Sequence, residues 1–359
     1  MRITAGRTSR SLPHTAVALA LLGLALTACA DPTSGTRLVA PSPLTDQVQG
    51  PATRISYDAK SLAEYGQMWA NPYGRLQLDA GGTLTVNSSG DVRVRAVPYT
   101  VGADYSVYDH LKYIAISTQS FPVPQSGSVM FSVRITAQTP GTQAGRLIRG
   151  CAGAGFSFVD VNAPCIQSYA QPALEGQQAG VVLNMINFAT GQLFDWFVSG
   201  TKVFALIERL PSNVTNPTLP TWDPNYVGLE KAYTQIIKEQ DIVPGKKVDV
   251  AIRYTRGPGV SRVEYFLDGA LFASVNDVGV PLDVQGVPFT GYAPSYGRGE
   301  VLSLDSFVIG HGLFSLLDAF PYQHPERPDL SISIPMSERL FGQGADGTWE
   351  KFTVTTQRQ

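Results

Sequence analysis

Charged residues are scarce in this 359-residue chain, at 16% of the sequence. Lys and Arg total 27 and Asp and Glu total 29, so the formal net charge at pH 7 is −2. Neither sign is in excess, which argues against a nucleic acid or a highly charged membrane surface as partner. Glycine, at 35 residues, and proline, at 25, are frequent by contrast. Sparse charge with many turn-forming residues favours an all-β, exported protein over a helical one.

Long apolar runs are missing except near the amino terminus. There the stretch 15–26 is almost wholly apolar, and it follows three arginines, Arg2, Arg7 and Arg10. The stretch is too short to span a bilayer and ends close to small residues, which is typical of a secretory signal peptide. The sequence therefore predicts that the protein is exported from the cytoplasm.

Residues 26–29, where that stretch ends, read Leu-Thr-Ala-Cys and resemble the lipobox of bacterial lipoproteins. The resemblance implies that residues 1–28 are removed, that Cys29 carries a diacylglycerol and that the new amino terminus is acylated. Each buried methylene contributes roughly 0.8 kcal/mol, so two or more chains make a durable membrane anchor. Asp is absent from the second mature position, Ala30, which by the enterobacterial rule predicts the outer membrane where the cell has one. An ordinary signal peptide with a coincidental cysteine is the alternative.

Cysteine is rare as well, with three residues in the chain. If Cys29 carries lipid, Cys151 and Cys165 remain, and export places them in an oxidising compartment where a pair is expected to form a disulfide. Closing a loop of about 15 residues stabilises the fold by roughly 3 kcal/mol in the chain-entropy model. Two free thiols are the alternative. Neither metal nor cofactor is predicted, because no histidine lies at metal-ligand spacing from these cysteines, the four being His14, His110, His311 and His324.

Helical periodicity is scarce, and alternation with a period of two dominates instead. After a tether rich in Pro, Thr, Ser and Gly over 29–53, a single domain is predicted over 54–359. The segment 262–275 has a hairpin signal at Asp268-Gly269, a pair that tolerates the positive φ of a tight turn. Short helices are predicted over 314–320 and 337–341. Further strands are predicted over 74–79, 83–87, 92–97, 130–136, 248–254 and 301–309. This spacing indicates a β-sandwich or a barrel.

The segment 180–210 predicts three consecutive strands. Its second turn, Gly200-Thr201, suits a two-residue hairpin loop. That turn sets a register in which Trp196 lies opposite Ala205, Asp195 opposite Leu206, and Leu193 opposite Glu208. One face of this hairpin is then uniformly apolar and is predicted to be core: Phe194, Trp196, Val198, Val203, Ala205 and Ile207.

The opposite face of the same hairpin mixes carboxylates with aromatic rings. Asp195 and Glu208 are diagonal neighbours there, with backbones roughly 7–8 Å apart. Phe197 and Phe204 lie beside them, and flat rings stack on sugar C–H faces while carboxylates bind hydroxyls. These four residues are therefore predicted to bind a carbohydrate in a groove. The alternative is an ordinary outer face, exposed or covered by loops, with Glu208 paired to Arg209 or another arginine.

Two segments resemble the concanavalin A-like sandwich group, which includes legume-type lectins, laminin G-like modules and laminarinase-type glycoside hydrolases. They are 263–273, with a strand, Asp-Gly and a second strand, and 302–310, a late apolar strand that ends in glycine. The resemblance implies an antiparallel β-sandwich of the jelly-roll type with a few short helices. The phrase 338–344, Glu-Arg-Leu-Phe-Gly-Gln-Gly, is similar to one in a secreted bacterial family of unknown function.

One departure from the laminarinase-type hydrolases concerns catalysis. Those enzymes carry Glu-x-Asp-x-x-Glu on a single strand, and this chain has no such string. An inverting mechanism needs two carboxyl groups about 6.5–9.5 Å apart, a spacing that Asp195 and Glu208 fit in the expected register. These two residues are the catalytic candidates of an enzymatic alternative, an inverting glycoside hydrolase or a polysaccharide lyase.

Two further features each allow a functional and a structural interpretation. In Gly310-His311-Gly312, the histidine is either catalytic or ends a strand in a turn. The loop 222–226 either rims a ligand site with Trp222 and Tyr226 or caps the core.

The favoured interpretation is a lipid-anchored protein outside the cytoplasmic membrane that binds glycan or cell-envelope polysaccharide through one sheet face. A structural envelope protein without ligand is the remaining alternative.

Overall fold

The computed structural model describes residues 50–70, 82–96, 111–152, 167–173, 175–228, 230–289, 295, 297–316, 332–333 and 342–359. Within these ranges two large antiparallel sheets form a sandwich, which confirms the predicted fold class. The helices there are short: α1 (Leu62–Met68), α2 (Ser212–Thr215) and α3 (Leu282–Gln285), with a 3-10 turn at Glu175–Gln177.

The strands of the described ranges are numbered in chain order. They are β1 (Ala52–Ser56), β2 (Trp69–Ala70), β3 (Thr83–Val86), β4 (Val92–Ala96), β5 (Leu111–Ser117), β6 (Phe121–Pro122), β7 (Gly127–Gln138), β8 (Arg146–Ala152), β9 (Gln167–Ala173), β10 (Gly180–Asn187), β11 (Gln192–Val198), β12 (Lys202–Arg209), β13 (Tyr233–Asp241), β14 (Val248–Gly257), β15 (Val260–Leu267), β16 (Ala270–Asn276), β17 (Ser306–Phe314), β18 (Ile332–Ser333) and β19 (Ala345–Arg358).

The two large sheets are built from strands that are far apart in the sequence. The first sheet has the order β16-β15-β14-β7-β19-β4-β3, with β1 paired to β19. The second sheet has the order β13-β12-β11-β10-β17-β5-β2, with β6 paired to β17. A smaller group pairs β18, β8 and β9. Because the last strand, β19, lies inside the first sheet, that sheet is completed only when the end of the chain is in place.

The core lies between the two large sheets, and two tryptophans join them. Trp196 on β11 of the second sheet donates its indole N–H to Ala251 O on β14 of the first, at 2.9 Å. Trp349 on β19 donates in the opposite direction, to Val182 O on β10, also at 2.9 Å. Both indoles are 0% exposed. A buried indole N–H without an acceptor would be costly, so these two bonds let the core hold its largest side chains.

Several predicted elements are present with shifted bounds. Asp268 and Gly269 have φ values of 50° and 82°, which confirms the tight hairpin between β15 and β16. The strand predicted over 301–309 begins later, at Ser306, and continues to Phe314. Before Ser306, the backbone bonds to a side chain of another strand: Leu304 N donates to the Tyr254 hydroxyl of β14 at 3.0 Å. The prediction of a helix starting at Phe314 is wrong, because that residue ends β17.

Helix α1 was not predicted, although its capping signal is in the sequence. Ser61 accepts a hydrogen bond from Glu64 N at 3.1 Å, and the Glu64 carboxylate accepts one from Lys60 N at 2.7 Å. This is close to a capping box, and it starts α1 without a long amphipathic pattern. The strand predicted over 74–79 and the helix predicted over 337–341 lie outside the described residues. β1 begins at Ala52, inside the segment that the sequence assigned to the tether.

Candidate functional site

The central hairpin has the register predicted from its turn. Trp196 lies opposite Ala205, and Asp195 opposite Leu206. Ser199 N donates to Lys202 O at 2.8 Å, which closes the two-residue loop. The apolar face is also confirmed as core, because all six of its predicted members are buried in the main cluster: Phe194, Trp196, Val198, Val203, Ala205 and Ile207.

The opposite face of the hairpin is covered in this structure. Phe197 and Phe204 are both 0% exposed, and their ring centroids lie 5.8 Å apart in an edge-to-face contact. They form an apolar cluster with four other buried residues: Val182, Leu206, Ile236 and Leu316. Rings enclosed in this way offer no surface on which a sugar can stack. A ligand-binding role for Phe197 and Phe204 therefore stays a prediction, and it requires this cover to open.

The two carboxylates of that face are diagonal neighbours, as the predicted register requires. Glu208 lies opposite Leu193, two residues along β11 from Asp195. Asp195 is 5% exposed and accepts a short hydrogen bond from the Asn184 side-chain amide, whereas Glu208 is half-buried. Burial, with a smaller contribution from the negative charges of Asp195 and Glu208, raises the pKa of the neighbouring Tyr265 hydroxyl well above its ordinary value. Catalysis by Asp195 and Glu208 stays a prediction.

Asn184 and Asp195 form a polar pair within an apolar sheet face. On one side lies the Phe197 cluster, and on the other a second apolar cluster that contains Ile186 and Leu193. Asn184 is 0% exposed, and its side-chain oxygen has no hydrogen-bond partner among the described residues. A buried amide oxygen without a partner costs free energy. The pair is therefore a buried polar site between two apolar clusters of the same sheet face.

The loop that carries Trp222 is the exposed part of the predicted site. Trp222 is 82% exposed, so it does not cap the core. Tyr226 is half-buried four residues later. Asp223 organises the turn between them, since its carboxylate accepts from Asn225 N at 2.8 Å and its carbonyl accepts from Tyr226 N at 2.9 Å. The loop ends at Val227, whose N–H donates to the Ser212 hydroxyl at 2.8 Å. The indole is thus presented to solvent by a hydrogen-bonded turn.

His311 proved to be a core residue, so the interpretation that it ends a strand is wrong. It lies in the middle of β17, opposite Leu183 on β10 and Ala115 on β5. Its Nε2 is 2.8 Å from the Tyr65 hydroxyl, which in turn makes a short hydrogen bond with the Tyr113 hydroxyl. Burial lowers the pKa of His311 to about 3, so the ring is neutral at pH 7. The sequence offered the motif but nothing that identified its two tyrosine partners.

The cysteine predictions fall mostly outside the described residues. Cys29 and Cys165 are among the residues not described, and Cys151 lies in β8, with its backbone paired to Ser168. Both lipidation and the disulfide stay predictions. Within the described ranges, no helix combines the length and apolar character needed to cross a membrane. The same ranges contain no group of three or more His, Cys, Asp or Glu side chains arranged to hold a metal ion.

These features define a two-sheet antiparallel β-sandwich with a covered polar pair on one sheet and an exposed aromatic loop between β12 and β13. The chain belongs to a family of unknown function, DUF6081, whose model matches residues 66–358. No curated protein matches it.

Solved structures with a similar fold include a glucanase, an agarase and a lectin. An endo-1,3-beta-glucanase from Streptomyces sioyaensis is 10% identical, with 88% of this chain and 99% of that chain covered and a TM-score of 0.36. Beta-agarase B from Zobellia galactanivorans is 11% identical, with 86% and 95% covered and a TM-score of 0.39. Lectin II from Ulex europaeus is 12% identical, with 87% and 100% covered and a TM-score of 0.33. At these identities the likeness concerns the fold alone.

Proposed function

We propose that this protein is a lipid-anchored, extracytoplasmic protein that binds glycan, with Trp222 as the residue on which a sugar ring stacks. One observation carries the proposal: Trp222 is 82% exposed, while the other three tryptophans are at most 4% exposed. Burying a large apolar side chain stabilises a fold by roughly 1.5–3 kcal/mol, and Trp222 makes no such contribution. An indole held in water is instead available to a ligand.

The turn around Trp222 favours binding because it is already ordered. Asp223 N donates to Pro220 O at 3.0 Å, which adds to the bonds that Asp223 makes with the residues after it. Ser212 N also donates to Val227 O at 2.9 Å, so the base of the loop is closed by a reciprocal pair with the Val227 N–H bond. A ligand that meets a preorganised ring loses less free energy to ordering than one that must fix a mobile loop.

The chemistry of an exposed indole fits a sugar better than a purely apolar partner. One end of the ring is apolar and stacks on C–H groups, while the indole N–H is a hydrogen-bond donor for a hydroxyl. A protein held at a membrane by a lipid on Cys29 meets envelope polysaccharide at high local concentration. Weak stacking at one aromatic residue would then be sufficient for attachment to a polymer.

Fluorescence quenching tests this proposal directly, because Trp222 is the exposed indole among four tryptophans. Acrylamide is expected to quench mainly Trp222, and a glycan identified on an array is expected to protect it. Trp222→Ala should abolish binding to that glycan, while Trp222→Phe should retain a weakened affinity because a ring remains. Val243→Ala, which removes another exposed apolar side chain at 69% exposure, is the matched control and should bind as the unaltered protein does.

Two outcomes would overturn the binding proposal. Equal binding by the Trp222→Ala variant and the unaltered protein would remove Trp222 from the contact. Release of reducing sugar from a bound glycan, lost in both Asp195→Asn and Glu208→Gln, would instead assign an inverting hydrolase whose cover opens.

The anchor is tested separately from the ligand. Cys29→Ser is expected to move the protein from the membrane to the soluble fraction, and mass spectrometry of the unaltered mature terminus should find lipid. Unchanged fractionation, with no lipid mass on Cys29, would contradict the anchor and leave the role of Trp222 open to its own test.

A further inference from the structure

The outer face of the first sheet carries a cleft of about 560 Å³. Its floor is a row of short side chains on neighbouring strands: Ala251 of β14 lies opposite Ser132 of β7, and Ser132 lies opposite Thr353 of β19. Phe266 of β15, opposite Ala251, extends the row at one end. Neighbouring strands lie about 4.8 Å apart, so these four positions span about 14 Å across the sheet. The cleft is therefore a short trench that runs perpendicular to the strands.

The longer side chains on both sides of this trench are mostly cationic. Four cations and one carboxylate line it: Arg54, Arg134, Arg253, Lys351 and Asp249. The Asp249 carboxylate is already neutralised, because Arg134 donates two hydrogen bonds of 2.8 Å to it. The whole chain has a formal net charge of −2, so this concentration of positive charge is local.

Arg253 is held in place beside the aromatic end of the trench. Its Nε donates to the Glu264 carboxylate at 2.8 Å, and its guanidinium lies 4.8 Å from the centroid of the Phe266 ring. Arg262 lies 3.5 Å from the same carboxylate, so two guanidinium groups share one negative charge. This end of the trench thus keeps an excess positive charge next to a flat ring.

Two cations of the trench, Arg54 and Lys351, lack an ion-pair partner among the residues that the structure describes. The carboxylate nearest to Lys351 along the chain, Glu350, is bonded to Lys247 at 2.5 Å. Both Arg54 and Lys351 are exposed, so their charges are available to a ligand.

The backbone places Lys351 over the trench at a cost. Lys351 has a φ of 61°, in the left-handed region, and the pairing of β19 with β7 shifts between Glu350 and Thr353. The left-handed conformation is unfavourable for a residue with a side chain, and a bulge re-aims the side chain that it contains. A glycine or asparagine would adopt this conformation more easily, yet the position carries a lysine.

We infer that this trench is a second binding site, specific for a polysaccharide that carries anionic groups. Guanidinium and ammonium groups on both sides match carboxylate, sulfate or phosphate substituents, and Phe266 offers a ring for a sugar next to Arg253. A concave trench with a floor of short side chains accommodates an extended chain, whereas a bilayer surface presents a plane. The site is independent of Trp222, because the Trp222 loop joins β12 and β13 of the second sheet.

The test compares two double variants with the same change in net charge. Arg54→Gln with Lys351→Asn removes two cations of the trench, and asparagine tolerates the left-handed backbone. Arg95→Gln with Lys60→Gln is the control, since both side chains are exposed and lie outside the trench. Every chain is full length and carries Cys29→Ser, so that a lipid anchor does not bring the protein to vesicles. The probes are oligogalacturonate, dextran sulfate, neutral dextran and vesicles containing phosphatidylglycerol.

Binding of an anionic polymer to the parent chain, weakened about tenfold or more in the trench variant and less than twofold in the control, supports the site. Raising the ionic strength from about 0.05 M to 0.5 M should weaken that binding as well, because it shortens the Debye length. Equal losses in the two double variants would assign the binding to general surface charge and overturn the inference. Binding to vesicles but to neither polymer, or no binding at all, would also overturn it. Equal thermal midpoints for both double variants exclude misfolding as the cause of a loss.

Discussion

Replacing His311 with phenylalanine should remove a specific part of the pH dependence of stability. His311 is 0% exposed, and burial lowers its pKa to about 3, whereas an unfolded chain titrates at about 6.5. Between these values the unfolded state binds one proton more than the folded state, so the free energy of unfolding rises with pH. The stabilisation is complete above about pH 6.5 and is lost progressively as the pH falls towards 3.

The magnitude follows from the two pKa values. One pKa unit corresponds to 1.36 kcal/mol, so the full loss near pH 3 is about 5 kcal/mol. Between pH 7 and pH 4.5 the loss from this residue alone is about 2–3 kcal/mol. That is a large fraction of the total stability of a typical domain, which is about 5–15 kcal/mol. Acid is therefore expected to unfold this protein through a core histidine as well as through its carboxylates.

Phenylalanine is the suitable replacement because the surroundings of His311 are aromatic. Trp69 and Trp349 lie with ring centroids 4.6 Å from the imidazole, so a ring of similar size keeps most of the packing. The Tyr65 hydroxyl loses one partner but keeps the Tyr113 hydroxyl. Burial raises the pKa of Tyr113 to about 12, so it stays neutral in acid. At pH 7 the variant should be less stable by about 0.5–1.5 kcal/mol, the usual net contribution of one hydrogen bond.

Urea unfolding of both proteins at several pH values between 7 and 4.5 measures the effect. Carboxylates titrate in both proteins, so the difference between the two curves isolates His311. The unaltered protein should lose about 2–3 kcal/mol more than His311→Phe over this range, with equal m values. Parallel curves would refute the reasoning, because they would mean that the imidazole binds its proton equally well in the folded core.

Three further predictions concern packing and covalent structure. Gly312→Ala should destabilise the fold by about 1–3 kcal/mol in urea unfolding, because the added Cβ would lie 2.2 Å from a backbone oxygen of β5. Gly310→Ala should destabilise it less, because the closest contact of its Cβ is a side-chain methyl at 2.9 Å. A larger loss for Gly310→Ala than for Gly312→Ala would contradict this account. Trp349→Phe should destabilise by about 1–3 kcal/mol because it removes the indole N–H that donates to a buried carbonyl of β10, and an unchanged denaturation midpoint would argue against that bond. Thiol labelling of the folded, non-reduced protein should find neither Cys151 nor Cys165, and two labelled thiols would exclude the disulfide.

The hairpin β11–β12 was predictable because its information is local. A two-residue turn at Gly200-Thr201 fixes the register, and the period of two then assigns every side chain to a face. The same logic placed the β15–β16 turn at Asp268-Gly269. Strand ends were less predictable. The backbone groups of Leu302 and Leu304, just before β17, bond to side chains of other strands, and no local pattern announces those bonds.

The covering of the Phe197 face was not predictable from local pattern. A face with Asp195, Phe197 and Phe204 has the same composition whether it binds sugar or packs against other residues. Its cluster partners come from distant positions, Leu316 after β17 and Val182 on β10. The decisive quantity is the exposed fraction of each ring, which depends on the whole topology.

The cationic trench was not predictable from the sequence either. Its floor joins Ser132, Ala251 and Thr353, which become neighbours only because β19 and β14 flank β7. Sequence composition argued against a charged partner, and the net charge of −2 remains correct for the whole chain. Affinity, however, depends on charges within about one Debye length of the ligand, roughly 8–10 Å, and not on the total. An almost neutral protein can therefore hold an anionic polymer where one sheet face gathers several cations.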